Sequence, residues 1–332
     1  MKANLNKERI IERLRTYSSI NRASLPRDID FVIKNGILEV LVKNVTSNMQ
    51  SDAAAFESWI VILKYWLDEE VESVVLNFNI PKEITGLLGK PKECHYNRFL
   101  YRVWNMKRFF PTWFFIHQSK FEIVNSFWIK INEGNYLINH SLKERTSVIN
   151  SQHMERQIES WFVFEEGKEL LCDFYNLNRN KVFNQLPIGI FQDEINSKNA
   201  VFTRGASAID IWGIGTSENQ IHIIELKCGK NRGLGVISEV LFQAAIIFDL
   251  CVSPNRFFDF GTYNNTQVTS DKKALMNNGK KFTELHVHLL AEKYHSLINP
   301  GVVDLIKSSL IKHNMVFDIA FYSYKKKEIY CG

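Results

Sequence analysis

The sequence predicts an α/β protein in which a mixed sheet flanked by helices fills the C-terminal half and a smaller α+β domain precedes it. Three observations lead there. From residue 153 onward, apolar runs at helical spacing and apolar runs with strand-like alternation follow one another as helix, three strands, helix, strand, helix, strand. Such an order builds a mixed sheet with helices on both faces. The first 150 residues have a different rhythm, opening on a hairpin, and the 332-residue length with 45% hydrophobic residues suffices for two ordinary domains or one large one.

The elements are expected in this order. Residues 30–34 and 37–42 flank Asn35-Gly36, a pair that supplies the positive φ angles of a type I′ turn. Residues 52–69 carry Phe56, Ile60, Leu63 and Leu67 at helical spacing. A strand at 74–78 and a helix at 95–110 complete an accessory domain over 1–150, which ends in the polar stretch Ser147 to Gln152. The second domain, 151–332, starts with a helix at 153–165 and continues with strands at 186–192, 206–213 and 220–227. A helix at about 235–250, a strand at 284–290, a helix at 302–313 and a strand at 316–323 follow.

Composition narrows the setting. The five cysteines are scattered and odd in number, with no C-x-x-C pair, so neither a disulfide framework nor a zinc ribbon is expected and a reduced, cytoplasmic protein fits. The charged N-terminus lacks the apolar core of a signal peptide, and no apolar stretch is read as approaching the roughly 20 residues that span a bilayer. The formal charge of +5 permits an anionic partner. No phosphate-binding loop, dinucleotide fingerprint or nucleophile elbow occurs.

The chemistry concentrates between Ser207 and Leu250. Glu225 and Lys227 are two apart on a β-like run and therefore point the same way. Asp210 lies on the preceding run, with Ile209 and Ile211 on the other face. If the two runs pair, Asp210 comes near Glu225. Each charge stands where a purely structural strand would carry an apolar side chain, and that is costly unless the charges pair or bind metal. The pattern acid-x-Lys alone says little: it also occurs at Glu166 to Lys168 and Asp271 to Lys273, outside any such run. On the next helix Glu239 and Gln243 share a face, and Lys230-Asn231-Arg232-Gly233 before it is a basic loop suited to phosphate.

Asp210, Glu225-Leu226-Lys227, Gln243 and the order of elements resemble the PD-(D/E)xK phosphodiesterase superfamily over residues 153–323. The proline often found before the acid is Ile209 here. The resemblance implies a restriction-endonuclease-like sheet and a metal-dependent DNA endonuclease, in restriction or defence against foreign DNA. It implies that Asp210, Glu225 and the carbonyl of Leu226 hold Mg²⁺, with Mn²⁺ able to substitute, while Lys227 orients the attacking water or neutralises developing charge. A helix carboxylate would join the metal shell. Glu155 and Glu159 share a face and both remain candidates, with Glu159 preferred beside Ile158 and Phe162. Gln243 would touch the substrate backbone or a metal-bound water. RNA is the other candidate substrate, and a non-catalytic or partner-gated nucleic-acid-binding protein is the alternative of a different class. A homodimer would present two sites to two strands, though no residue argues for it.

Elsewhere the signals are weaker. Arg98 and Arg102 share a helix face that could grip a DNA backbone. Trp104, Trp113 and Phe114 could stack bases, but in so apolar a stretch they read as core. His286 and His288 share a strand face as a metal pair, but no third ligand is spaced to join them, so they read as structural.

Overall fold

Asn35 and Gly36 both take positive φ, 51° and 87°, so the Asn-Gly turn forms as its composition requires. It joins β1 (Ile29–Lys34) to β2 (Ile37–Val42) in antiparallel register, with Phe31 opposite Val40. This computed structural model describes residues 4–18, 24–47, 55–139, 154–202, 207–229, 233–261 and 270–331. They group into two compact units whose sequences interleave: 1–134, 233–241 and 295–310 form the first, and 135–232, 242–294 and 311–332 the second.

In the first unit, β3 (Ser73–Phe78) lies parallel to β2, and β4 (Phe114–Ile116) lies parallel to β3, giving the order β1-β2-β3-β4. Alternation buries Val74, Leu76 and Phe78 on one face. The helices are α1 (Lys7–Ser18), α2 (Phe56–Trp66), α3 (Pro91–Phe109) and α4 (Gln118–Glu133). Pro91 opens α3 at the first turn, where its missing N–H costs nothing. The residues 233–241 are fastened to α2 by the Ser58 and Ser238 hydroxyls, 2.9 Å apart and both buried.

The second unit is built on a six-stranded mixed sheet. Two short strands, β5 (Tyr136–Ile138) and β7 (Ile190–Gln192), pair outside it. Helices α5 (Met154–Phe164) and α6 (Gly167–Tyr175) lead into β6 (Leu177–Pro187), then β8 (Ala208–Gly215) and β9 (Gln220–Lys227). Next along the chain come α7 (Gly235–Ile247), whose residues up to Leu241 belong to the first unit, a π-helical turn over Phe248–Val252, α8 (Ser270–Asn278), β10 (Glu284–Ala291), α9 (Pro300–Leu310), which also belongs to the first unit, β11 (Met315–Ser323) and β12 (Glu328–Cys331). The strand order is β12-β11-β10-β9-β8-β6. Strands β6, β8 and β9 form an antiparallel meander, β9, β10 and β11 run parallel, and β12 returns antiparallel. The molecule is thus of mixed α/β class.

Two expectations change. The strand expected at 186–192 is two strands, and the first begins nine residues earlier at Leu177, behind the unexpected α6. The cause is local: Asn178 to Lys181 is polar, and the β6–β8 register shifts between Leu177 and Val182, so no clean alternation marks the strand. The other concerns apolar length. Gly235–Val252 is 18 residues long with mean hydropathy 1.9, long and apolar enough to cross a membrane, and 89% of it is buried inside the protein.

Packing fixes α5 over the sheet. Ile158, Trp161 and Phe162 join Leu171, Ile211, Ile224, Leu226 and Leu290 in one buried cluster. Each such side chain is worth roughly 1.5–3 kcal/mol when fully buried, enough to fix the helix rotation. The turn into α6 is equally close: a Cβ on Gly167 would stand 2.5 to 2.8 Å from the Trp161 indole, so only glycine fits.

Candidate active site

The β8–β9 hairpin carries the central charges. Its paired residues run from Ile214 opposite Ile221 to Ile211 opposite Ile224. One step further in that register stands Asp210 opposite Glu225. There the Leu226 N–H, on a fully buried residue, donates to Asp210 Oδ2 at 2.9 Å. Side-chain alternation puts Glu225 and Lys227 on one face, and the Lys227 ammonium donates to Glu225 Oε1. Gln243 on α7 donates from Nε2 to Glu225 Oε2 at 2.6 Å. Glu225 and Gln243 are both buried, and the apolar character of α7 is what carries so deep an amide to the strand.

Helix α5 adds two more acids. Glu155 Oε1 lies 3.8 Å from Lys227 Nζ. Glu159 is buried and its Oε2 accepts from Gln185 Nε2 at 2.9 Å. The sequence leaves Glu155 and Glu159 as alternatives; both reach the cluster, because residues four apart on a helix share a face. Gln185 is an addition that the sequence does not announce. In the β6–β8 register it falls between Asn184, opposite Ile211, and Leu186, opposite Ile209, which sets it opposite Asp210. Its φ is 54°, an uncommon value for a residue with a side chain, and one that marks functional sites more often than plain strands. It lies outside the expected strand, so alternation gives no signal for it.

The electrostatics follow from this crowding. Burial pushes the Asp210 carboxyl up to about 7, and the charges of Glu159 and Glu155 push the same way against the pull of Lys227 and the Leu226 N–H. Burial likewise raises the neighbouring Cys228 thiol to about 11, so it is no nucleophile at neutral pH. The donor set suits a hard divalent cation. Four carboxylates meet one ammonium, and the ligands on offer are oxygens. Glu155 Oε1 and Gln243 Oε1 are buried and accept no hydrogen bond from the described residues. A cation held by these carboxylates would offset the excess negative charge.

Other candidates fall elsewhere. Lys230 and Arg232 lie outside the described residues. The basic face expected from Arg98 and Arg102 is not a surface: both are 4% exposed. Arg102 Nε donates to Glu57 Oε1 at 2.5 Å while its Nη2 donates to Glu57 Oε2, and the guanidinium sits 4.8 Å from the Phe56 ring. Burial lowers Arg98 to about 10. A helical wheel cannot distinguish a solvated basic face from one turned onto a buried acid on another helix. Trp113 and Phe114 are buried, and Trp104 stacks on Trp128 with ring centres 4.8 Å apart, so these aromatics are packing residues.

The histidine reading is also corrected. His286 and His288 do have a third neighbour: His222 on β9 is paired with His286 in the parallel register. Spacing could not reveal it, since it stands 66 residues before His288.

Compared with protein-family models, curated proteins and solved structures, the chain matches none significantly.

Proposed function

We propose that the chain is a metal-dependent phosphodiesterase that cleaves DNA. The observation that carries this reading is the convergence of Asp210, Glu225, Lys227, Glu155, Glu159 and Gln243 from four elements on one spot. The order of elements supports it too. An antiparallel meander, a helix and then a strand parallel to the last of the three is the arrangement that the PD-(D/E)xK resemblance implies, a restriction-endonuclease-like core.

In this reading Asp210, Glu225, one of the α5 glutamates and the Leu226 carbonyl hold Mg²⁺ or Mn²⁺. When bound, such an ion supplies Lewis acidity for the scissile phosphate and lowers the pKa of water. Lys227 holds the attacking water in line with phosphorus and stabilises charge that grows on the phosphoryl oxygens. Gln243 keeps the Glu225 carboxylate turned toward the site, and Gln185 does the same for Glu159. Restriction or defence against foreign DNA is the setting that the resemblance favours.

The test is cleavage of supercoiled plasmid, linear duplex, single-stranded DNA and labelled RNA by wild type and Glu225→Ala, with Mg²⁺, with Mn²⁺ and with chelator. Metal-dependent cleavage of DNA, lost in the variant, is the expected result. Binding of DNA in chelator with no cleavage in either metal would overturn the catalytic reading. Preferential cleavage of RNA would overturn the substrate.

A further inference from the structure

We propose that His222, His286 and His288 form a binding site for one zinc ion on the sheet face opposite Glu225 and Lys227. His222 and His286 are direct partners across β9 and β10, and His288 stands two residues on. Strand alternation therefore projects all three imidazoles from one face and Glu225 and Lys227 from the other. One ring nitrogen from each histidine lies within 4.8 Å of the others. Two nitrogens bound to one tetrahedral zinc, each about 2.0–2.1 Å from it, lie on the order of 3.3 Å apart. His222 Nδ1 and His288 Nε2 are 3.0 Å apart, close to that spacing.

The outer contacts are those of ligand histidines. His288 Nδ1 is 2.8 Å from Asp318 Oδ1, and His286 Nε2 is 3.2 Å from Glu284 Oε2. A carboxylate on one ring nitrogen fixes the tautomer and turns the other nitrogen's lone pair toward the ion. That leaves Nε2 of His288 and Nδ1 of His286 as ligands. His222 is 3% exposed, and its Nδ1, the nitrogen that faces His288 Nε2, is the one it offers to the ion. Burial also holds His222 and His286 below the usual imidazole range, which keeps them in the neutral form that binds metal.

Three imidazoles select a different metal from the acidic cluster. Nitrogen donors favour zinc and its neighbours, whereas carboxylate oxygens favour magnesium. The Tyr175 ring packs on His288 with centres 4.0 Å apart, and His286 keeps 17% of its side chain exposed. Bound zinc would tie β9 to β10 and so stiffen the strand that presents Glu225 and Lys227 on its other face. The site does not depend on the nuclease reading.

The test is a calorimetric titration of full-length, chelator-stripped protein with zinc chloride alone. Wild type, Asp210→Asn/Glu225→Gln and His286→Asn are compared, with circular dichroism as a check on folding. One zinc per chain in wild type and in the acidic-site variant, weakened at least tenfold in His286→Asn, is the expected outcome. No saturable binding by wild type would overturn the proposal, and so would binding that survives His286→Asn but vanishes in the acidic-site variant. Should His286→Asn not fold, cobalt(II) loading of wild type decides: tetrahedral visible bands support the site, and their absence overturns it.

Discussion

Replacing Asp210 by Asn isolates the electrostatic strain of the acidic cluster. An aspartate whose carboxyl is pushed from 3.8 to about 7 binds its proton more tightly in the folded than in the unfolded chain. Its contribution to stability is therefore fully present below about pH 3.8 and is lost as pH rises through about 7. The Asn variant has no proton to lose, so its stability relative to wild type climbs over that window and levels off above it. From those two pKa values, the ionisable Asp210 costs about 1.7 kcal/mol at pH 5 and about 4.3 kcal/mol at pH 8. The relative gain of Asp210→Asn between the two pH values is thus about 2.6 kcal/mol, reduced to about 2 kcal/mol because the side chain is only partly shielded from water. The attraction to Lys227 acts only on the ionised carboxylate and is already contained in its pKa, so it adds no separate offset. Urea denaturation of both proteins at pH 5, 6, 7 and 8, in chelator, measures it. A difference that is flat with pH, or that shrinks as pH rises, would refute the argument that burial and neighbouring carboxylates strain Asp210.

Further outcomes follow from the same contacts. Magnesium should raise the thermal midpoint of wild type and leave that of Asp210→Asn/Glu225→Gln unchanged, read by differential scanning fluorimetry. Glu57→Gln should cost about 3–5 kcal/mol, because it removes the carboxylate charge that offsets the buried Arg102 guanidinium; Glu57→Met/Arg102→Met should recover most of that in urea melts. Gly167→Ala should cost about 1–3 kcal/mol as its methyl is driven against Trp161, measured the same way. Gln185→Gly should keep stability within about 1 kcal/mol, since glycine accepts the φ of 54°, yet slow metal-dependent cleavage by releasing Glu159.

Much of the central hairpin is legible in the amino-acid order alone. Strand alternation is a property of neighbouring residues, so Glu225 and Lys227 share a face by spacing alone, and Asp210 joins them once the two runs pair. The Asn35-Gly36 turn and the α5 periodicity are local in the same sense. Helical spacing also puts Glu155 and Glu159 together, although nothing local says that both reach the Lys227 neighbourhood. The polar start of β6 hides Gln185, because a strand whose ladder shifts register shows no alternation.

What only the tertiary structure decided depends on contacts between distant residues. The parallel register of β9 and β10 brings His222 level with His286, and no spacing rule carries that information. The burial of Arg102 depends on where Glu57 lies on a separate helix. Residues 233–241 and 295–310 group with the first unit although the chain around them belongs to the second. The physical reason is one of range: backbone sterics and side-chain periodicity act over a few residues and are written in order along the chain. The register between strands and the pairing of buried charges are instead chosen by the packing free energy of the whole fold.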